Sequence, residues 1–138
     1  MTETEENGYR ISTDKALLQM DRILALLAKS YWAQNRPAEI IRQSIENSLC
    51  FGLYRGNVQL GFARVITDYA TTYYICDVVV DEACRGQGLG KKLVEAIVGD
   101  EALKPLFGIL ATRDAHGLYE QYGFVKGGDR FMSRSPLT

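Results

Sequence analysis

The stretch that decides the fold is "VVVDEACRGQGLGKKL", residues 78–93, in which an apolar run is followed by glycines and cationic side chains. The valines predict a buried strand, and the spacing of Leu89, Leu93 and Ile97 predicts a helix that begins soon after it. The first N–H groups of a helix lack helical partners, and together with the helix dipole they attract anions. The loop between the strand and the helix is therefore a candidate anion site.

The glycines of this loop favour a phosphate as the anion. Gly86, Gly88 and Gly90 allow the backbone to approach a bulky group and to adopt positive φ angles where a turn needs them. The cationic side chains that can add to the site are Arg85, Lys91 and Lys92. The loop therefore predicts binding of a phosphate or pyrophosphate.

Two common phosphate-binding motifs do not fit the loop. A P-loop needs Gly-x4-Gly-Lys-Ser/Thr, but Arg85 stands at its first glycine and Lys92 at its hydroxyl position. A dinucleotide fingerprint needs Gly-x-Gly-x-x-Gly, and Lys91 stands at its third glycine. The pattern that remains is Arg-x-x-Gly-x-Gly, formed by Arg85, Gly88 and Gly90 after an apolar strand.

The rest of the sequence alternates between helical and strand-like patterns. Helices are predicted over residues 14–29, 37–48, 89–99 and 114–123, and strands over residues 49–54, 58–67, 73–80, 107–112 and 124–132. Residues 1–8 are acidic and polar, and they are expected to form a disordered tail. This order predicts an α/β (α+β) fold in a single domain over residues 1–138, with an antiparallel meander and at least one crossover unit.

The composition narrows the class of partner. The 138 residues are 46% hydrophobic and 24% charged, and the net charge of -1 lacks the basic excess of a non-specific nucleic-acid binder. No apolar run approaches the length of a membrane span. The cysteines, Cys50, Cys76 and Cys84, are odd in number and follow no metal-ligand spacing. These features predict a reduced, cytoplasmic protein with no metal, nucleic-acid or membrane partner.

A second motif lies about one strand and one helix downstream of the loop. It reads "HGLYEQYGF", residues 116–124. Together the two motifs resemble the coenzyme A loop and the Leu/Phe-Tyr-Glu-x-x-Gly-Phe segment of the GNAT acetyltransferase superfamily. The resemblance covers about residues 9–132 and implies the GNAT fold, a mixed central sheet with an antiparallel N-terminal meander and splayed parallel strands, flanked by about four helices.

The resemblance implies acetyl-CoA (coenzyme A) as the cofactor. Its pantetheine arm would pair with the strand edge that ends at Val80, and its pyrophosphate would lie on residues 85–91. Thr112 stands where the family often has an asparagine that reaches the pantetheine arm, and it can still donate one hydrogen bond. The residues implied in cofactor binding are Val78, Val79, Val80, Arg85, Gly86, Gln87, Gly88, Leu89, Gly90, Lys91 and Thr112.

The resemblance also implies that an amine attacks the thioester directly, which requires a proton acceptor for the amine and a proton donor for the thiolate. Tyr119 matches the tyrosine that acts as the general acid. The segment "YICDV", residues 74–78, resembles a polyamine acetyltransferase strand, but Cys76 stands where those enzymes have a glutamate base. Asp77 is then a candidate base or ammonium anchor, because burial would raise its pKa. A structural Asp77 bonded to backbone, and a water chain in place of the base, stay open as alternatives.

The first helix pair and the loop between the central strands are expected to recognise the acceptor. The candidate residues are Tyr31, Trp32, Arg36, Asp68, Tyr69 and Tyr73. Aromatic walls with Asp68 and Asp77 would suit an amine, whereas Arg36 and Arg64 would suit a carboxylate, so the sequence does not choose between them.

The function that the sequence favours is acetyl-CoA-dependent N-acetylation of a small-molecule amine. Protein or peptide N-acetylation is one alternative, and a non-catalytic acyl-CoA-binding regulatory module is another. The resemblance adds a homodimer as an expectation, and the oligomeric state stays open.

Overall fold

The structure, a computed structural model, describes residues 2–136 and contains a six-stranded sheet with helices on both faces. The strands are β1 (Glu3–Glu6), β2 (Tyr9–Ser12), β3 (Leu49–Arg55), β4 (Val58–Thr67), β5 (Thr72–Val80) and β6 (Phe107–Leu110). The helices are α1 (Met20–Ala28), α2 (Ala38–Glu46), α3 (Leu89–Gly99) and α4 (His116–Glu120). The strands lie in chain order, and each neighbouring pair is antiparallel except the parallel pair β5 and β6. The predicted mixed α/β architecture is confirmed.

Each face of the sheet carries its own apolar core. On one face α3 packs through Leu93 and Ile97, which are fully buried. On the other face α1 and α2 pack through Ile23 and Ile41 over Phe62 of β4. Each such side chain contributes about 1.5–3 kcal/mol on burial. The two cores together therefore fix β4 and β5 from both sides.

A β-bulge in β5 decides which way its central side chains point. Arg64 of β4 pairs with Asp77, whereas the next residue of β4 pairs with Ile75, so Cys76 is the extra residue. Before the bulge Ile75 packs into the α3 core, and after it Val79 packs into the α1–α2 core. The bulge therefore turns Asp77 to the α1–α2 face, opposite Arg64.

The two parallel strands separate at the same point. β6 pairs with β5 only from Thr72 to Ile75, although β5 continues to Val80. Within residues 2–136 the β5 edge beyond Ile75 has no strand partner on the β6 side. Its N–H and C=O groups are therefore free to pair with an extended ligand, in the manner of β-strand addition.

The prediction of a disordered tail over residues 1–8 is wrong for the residues that the structure describes, because β1 forms a hairpin with β2. Asn7 and Gly8 make the turn with φ angles of 54° and 81°. Asn-Gly is the sequence signature of such a two-residue turn. Every side chain of β1 is exposed, so the strand carries no apolar pattern that would announce it. Met1 lies outside the described residues.

Two further elements differ from the prediction. The helix predicted over residues 14–29 is broken, since Lys15–Leu17 form a short 3-10 turn and α1 begins only at Met20. At the break, the buried Gln59 side chain accepts a hydrogen bond from the N–H of Gln19 at 2.8 Å. The strand predicted over residues 124–132 is not formed, and most of that segment is exposed. The other predicted helices and strands are confirmed with small shifts of their ends.

No helix in the described part of the chain combines the length and the hydropathy that a membrane crossing requires.

Candidate functional site

A cleft of about 310 Å³ opens beside α1, the α1–α2 loop and the end of β5. Its lining brings together residues predicted to bind the cofactor, from the β5 edge and Arg85 of the glycine loop, and residues predicted to bind the acceptor, from the α1–α2 loop. Those residues are Val78, Val79, Val80, Arg85, Tyr31 and Trp32.

The glycine loop carries an uncapped helix start into α3. Gly88 is the N-cap of α3 in the left-handed region, with φ of 72° and no side chain to cap the helix, and Gly86 has φ of 84°. A Cβ added at Gly86, Gly88 or Gly90 would meet no atom within 4 Å, so the backbone is open to a ligand. The Leu89 side chain is buried in the α3 core, so only its backbone can serve an anion, whereas Lys91 is exposed.

The N-terminal hairpin holds this loop from the other side. The Tyr9 hydroxyl donates a hydrogen bond to Gln87 Oε1 at 2.6 Å, and Lys92 Nζ lies 3.2 Å from Glu6 Oε1. Sequence reasoning missed Tyr9 and Glu6 as partners of the loop because the hairpin was taken for a disordered tail. The Asn-Gly turn was the signal that could have found them.

Asp77, only 1% exposed, is the centre of a cluster on the α1–α2 face. Its Oδ1 accepts a hydrogen bond from Trp32 Nε1 at 2.7 Å. Its Oδ2 accepts one from Arg64 Nε at 2.8 Å and another from Arg36 Nη1 at 3.1 Å. We call these four residues the Asp77 cluster.

The Asp77 cluster argues against the predicted general base. Burial acts to raise the pKa of Asp77, but the hydrogen bond and charge of Arg64, with Arg36 and Trp32, outweigh it and hold the pKa below its ordinary value of 3.8. A carboxylate that is ionised at neutral pH and engaged by three donors is a weak proton acceptor. The raised pKa expected from burial alone is therefore wrong, and Asp77 instead orients the two arginines.

Tyr119 is the residue predicted as the proton donor, and this role stays a prediction because Tyr119 is not among the residues that line the cleft. It lies on α4, is 9% exposed, and packs edge-on against Phe124 with ring centroids 5.9 Å apart. Burial, with a contribution from nearby Tyr31, raises the pKa of the phenol above its ordinary 10.0. Within residues 2–136 the hydroxyl has no hydrogen-bond partner. Tyr119 is therefore protonated and free to donate at neutral pH.

Thr112 follows β6 and shapes the start of α4. Its Oγ1 accepts a hydrogen bond from the N–H of Ala115 at 3.0 Å, and its hydroxyl proton remains available for donation. Asp114, at the predicted start of this helix, does not cap it, since Ala115 is the N-cap and no side chain caps the helix. Asp114 lines the cleft instead.

The α1–α2 loop contacts the loop that follows β6, near Tyr31 and Asp114 of the cleft lining. The Tyr31 hydroxyl accepts a hydrogen bond from the N–H of Arg113 at 3.3 Å, and the Arg113 guanidinium lies 3.7 Å from the centroid of the Tyr31 ring. Tyr31 also meets Trp32 edge-on, with centroids 5.0 Å apart. These contacts join the α1–α2 loop to the loop that follows β6.

Three residues that were predicted to bind the acceptor substrate lie away from the Asp77 cluster. Asp68 organises the β4–β5 turn, where its hydrogen bonds, first of all from the Thr71 hydroxyl, lower its pKa. Tyr69 is exposed in the same turn with φ of 59°. Tyr73 is buried in the α3 core with its ring over Gly108, where a Cβ would collide with it. Asp68 and Tyr73 therefore have structural roles in the fold, and their assignment to the acceptor site stays a prediction.

Two cationic residues of the cleft escaped the sequence analysis. Arg22 of α1 and Lys29, the residue that follows α1, line the cleft together with Arg85. Arg22 is held in place by Asp81 Oδ2 at 2.7 Å and by the carbonyl of Gln59 at 2.9 Å. Arg22 and Lys29 are seven residues apart, which places them on one face of a helix. This spacing was the sequence signal that could have identified them as a pair.

Comparison with known proteins agrees with this geometry. Residues 46–126 match the family model of the acetyltransferase (GNAT) domain, a range that holds both the glycine loop and Tyr119. A Gibberella zeae protein, provisionally named as an acetyltransferase, is 34% identical in an alignment 116 residues long that covers 70% of this chain. This chain spans 64% of the length of that relative.

Solved structures have the same fold. A Xanthomonas campestris pv. campestris protein of the GNAT family, also provisionally named as an acetyltransferase, is 39% identical with a TM-score of 0.87 and 93% coverage of both chains. An Elizabethkingia anophelis GNAT family acetyltransferase, solved with acetyl-CoA bound, has a TM-score of 0.66. At 19% identity, over 87% of this chain and 78% of that one, the second likeness concerns the fold alone. On the strength of the match over residues 46–126, this chain belongs to the GNAT acetyltransferase domain family.

Proposed function

We propose that this protein is an acetyl-CoA-dependent N-acetyltransferase whose acceptor is a small-molecule amine. The observation that carries the proposal is that the free β5 edge, which lines the cleft, leads through Arg85 directly into the uncapped start of α3. A free strand edge suits the amide groups of a pantetheine arm, and an uncapped helix start suits a pyrophosphate. Membership of the GNAT family supports the same cofactor.

The residues of the cleft fit acetyl-CoA in chemistry as well as in position. The glycine loop offers backbone N–H groups, and Arg22, Lys29 and Arg85 offer cations for phosphate oxygens. The valine edge of β5 offers alternating N–H and C=O groups. When bound, acetyl-CoA supplies a thioester whose carbonyl carbon accepts an amine and whose sulfur departs as a thiolate.

The proposal gives Tyr119 the role of general acid for that thiolate. Its phenol is protonated at neutral pH and has no competing hydrogen bond among the described residues. The proton lost by the amine needs another acceptor, because Asp77 is already engaged by three donors. We assign that proton to water, which keeps the role of Asp77 structural.

The loop contact between Tyr31 and Arg113 supports a small acceptor over a peptide. It joins Tyr31 of the cleft lining to the loop that follows β6, next to the residues proposed to bind the acceptor, where an extended chain would need an open groove. Protein N-acetylation would require this contact to break, and a non-catalytic module would have no use for a free Tyr119 hydroxyl. Cytoplasmic location and a homodimer stay predictions.

Two measurements test the proposal. Acetyl-CoA at a hundredfold excess over its Kd should raise the free energy of unfolding by about 2.7 kcal/mol, seen as a higher melting temperature. Release of free coenzyme A should then be followed with panels of amines and of peptides. No melting shift at millimolar acetyl-CoA would overturn the cofactor, and thiol release with peptides alone would overturn the small-molecule acceptor.

A further inference from the structure

The Asp77 cluster carries more positive charge than its own carboxylate can balance. Arg36 and Arg64 both bind Oδ2 of Asp77, so one negative charge faces two guanidinium groups. The Arg64 side chain is only 11% exposed and also donates to Ser48 Oγ at 3.2 Å. A half-buried site with a net positive charge attracts an anion from solution.

Arg36 is the member of the cluster that can meet a ligand. Its side chain is 24% exposed, and it uses only Nη1 in the bond to Asp77. Within residues 2–136, no acceptor bonds its Nε or Nη2. A guanidinium has five N–H donors in a planar fork that matches a carboxylate. Asp77 therefore fixes one edge of Arg36 and leaves the remaining donors for a second carboxylate.

Trp32 connects this cluster to the cleft. Its indole N–H donates a hydrogen bond to Asp77, while the residue is 41% exposed and lines the cleft beside Tyr31. Arg36 itself is not among the residues that line the cleft, but Trp32 and Arg36 bond the same Asp77 carboxylate, so a molecule that rests on Trp32 lies within one side chain of Arg36. Both residues belong to the α1–α2 loop, in which the N–H of Arg36 bonds the carbonyl of Ala33 at 3.1 Å.

We infer that the acceptor is an amine that also bears a carboxylate, such as an amino acid, and that Arg36 binds this carboxylate while the Trp32 ring supports the rest of the molecule. The inference rests on the proposed acetyl transfer and names the substrate class of the same site. Asp77 is then a positioning residue, because it acts on the acceptor only through Arg36.

The test compares acceptors that differ only in the carboxylate. An aromatic or aliphatic amino acid and the amine left after its decarboxylation are assayed by release of free coenzyme A from acetyl-CoA. Arg36→Gln should raise the KM for the amino acid about tenfold or more, the range expected for a lost charge-assisted pair. It should leave the KM for acetyl-CoA and for the decarboxylated amine within about twofold. Arg36→Lys, which keeps the charge without the fork, should recover part of the loss.

The matched control is Arg42→Gln, which removes an exposed arginine of α2 with no hydrogen bond in the described residues. A second readout needs no turnover. Trp32 is the only tryptophan of the chain, so its fluorescence reports acceptor binding when coenzyme A is present. The amino acid should change this fluorescence at lower concentration than the decarboxylated amine, and Arg36→Gln should abolish the difference.

Each outcome decides the inference separately from the proposed function. Acetyl transfer to amines with no preference for the carboxylate, or an equal response of both acceptors to Arg36→Gln, would overturn the inference and leave the transferase intact. Binding of acetyl-CoA without transfer to any amine would overturn the function. In that case the Trp32 titration alone decides whether the cleft prefers a carboxylate.

Discussion

The hydroxyl of Tyr9 in β2 lies 2.6 Å from Gln87 Oε1 in the glycine loop, although 78 positions separate the two residues in the chain. Arg55 donates to the same hydroxyl at 3.1 Å and lies over the Tyr9 ring. The N-terminal hairpin is thus joined to the loop that the proposal assigns to pyrophosphate. A loop that is already ordered loses less conformational entropy when a ligand binds it.

Tyr9→Phe should therefore weaken acetyl-CoA binding without unfolding the protein. The variant keeps the ring under the Arg55 guanidinium but loses the hydroxyl's bonds to Gln87 and from Arg55. A net hydrogen bond contributes about 0.5–1.5 kcal/mol, which corresponds to a Kd roughly two- to tenfold higher. Titration calorimetry measures it, with Tyr74→Phe as a control because that hydroxyl makes no hydrogen bond among the described residues. Equal Kd values for the two variants would show that the hairpin does not act on the loop.

Gly90→Ala separates ligand approach from backbone strain. Gly90 lies in the first turn of α3 with no positive φ, and its Cβ would meet open space, so alanine should stabilise the free protein by about 0.5–1 kcal/mol. The same methyl would meet a pyrophosphate, and we expect acetyl-CoA to bind about tenfold more weakly, a loss of about 1.4 kcal/mol. Gly88→Val should lose binding altogether, but it also strains a residue with φ of 72°.

The matched control is Gly99→Ala at the other end of the same helix, where a Cβ also meets nothing within 4 Å. It should raise the melting temperature and leave the Kd for acetyl-CoA unchanged. If Gly90→Ala behaved like Gly99→Ala in calorimetry, the pyrophosphate would not lie on this helix start.

The sequence was sufficient to predict those helices and strands whose apolar residues recur at a regular spacing. β5 alternates buried and less buried side chains, β3 is buried over most of its length, and α3 buries helically spaced side chains. The predicted bounds of these elements and of β4 agree with the structure to within a residue. β1 was missed because it buries nothing and is held by backbone pairing to β2. A polar strand of that kind leaves only its turn residues as a signal.

The direction of Asp77 could not be read from the sequence. In a regular strand Ile75, Asp77 and Val79 would share one face. The bulge at Cys76 breaks that parity and sends Asp77 to the side of Arg64 and Trp32. Because the pKa of Asp77 depends on those partners, the expected raised value is reversed. A bulge depends on how two strands fit together, and the sequence of either strand does not announce it.

Asp77→Asn should destabilise the fold at neutral pH. The amide leaves Arg36 and Arg64 without a counter-charge in a buried position, and losing one partner of a buried pair typically costs about 3–5 kcal/mol. Urea unfolding at pH 7 measures the loss, with Asp21→Asn on the exposed surface of α1 as the control. A loss below about 1 kcal/mol, the range of surface ion pairs, would show that Asp77 does not hold the arginines together.

The difference in unfolding free energy between wild type and Asp77→Asn should depend on pH in a definite direction. The pKa of Asp77 is lower in the folded chain than its ordinary 3.8, so the unfolded chain takes up this proton first as the pH falls. The stability that Asp77 contributes is complete above the ordinary value and disappears as the pH drops through the lower folded value. The difference in unfolding free energy between wild type and Asp77→Asn should therefore be constant from about pH 5 to 7 and shrink below pH 4. A difference that grew on acidification would reverse the assigned shift.

Tyr119→Phe tests the general acid. Phenylalanine keeps the ring that packs on Phe124 and removes the proton that the thiolate would take. The rate of acetyl transfer should fall by roughly 10²–10⁴, the usual contribution of a positioned proton donor. Acetyl-CoA affinity should stay within about threefold, and the melting temperature should barely change because the hydroxyl has no described hydrogen bond to lose.

Single-turnover rates are the measurement to compare, because product release can limit kcat and hide a slower chemical step. Tyr122→Phe is the matched control: it lies three residues along the same segment, and its hydroxyl donates a hydrogen bond to Glu95 Oε2 at 3.2 Å. It should keep the wild-type rate. In the wild type the rate should also hold up to about pH 10, because burial raises the pKa of Tyr119 and keeps the phenol protonated. If Tyr119→Phe and Tyr122→Phe transferred the acetyl group equally fast, the thiolate would have to take its proton from water, and Tyr119 would be a packing residue.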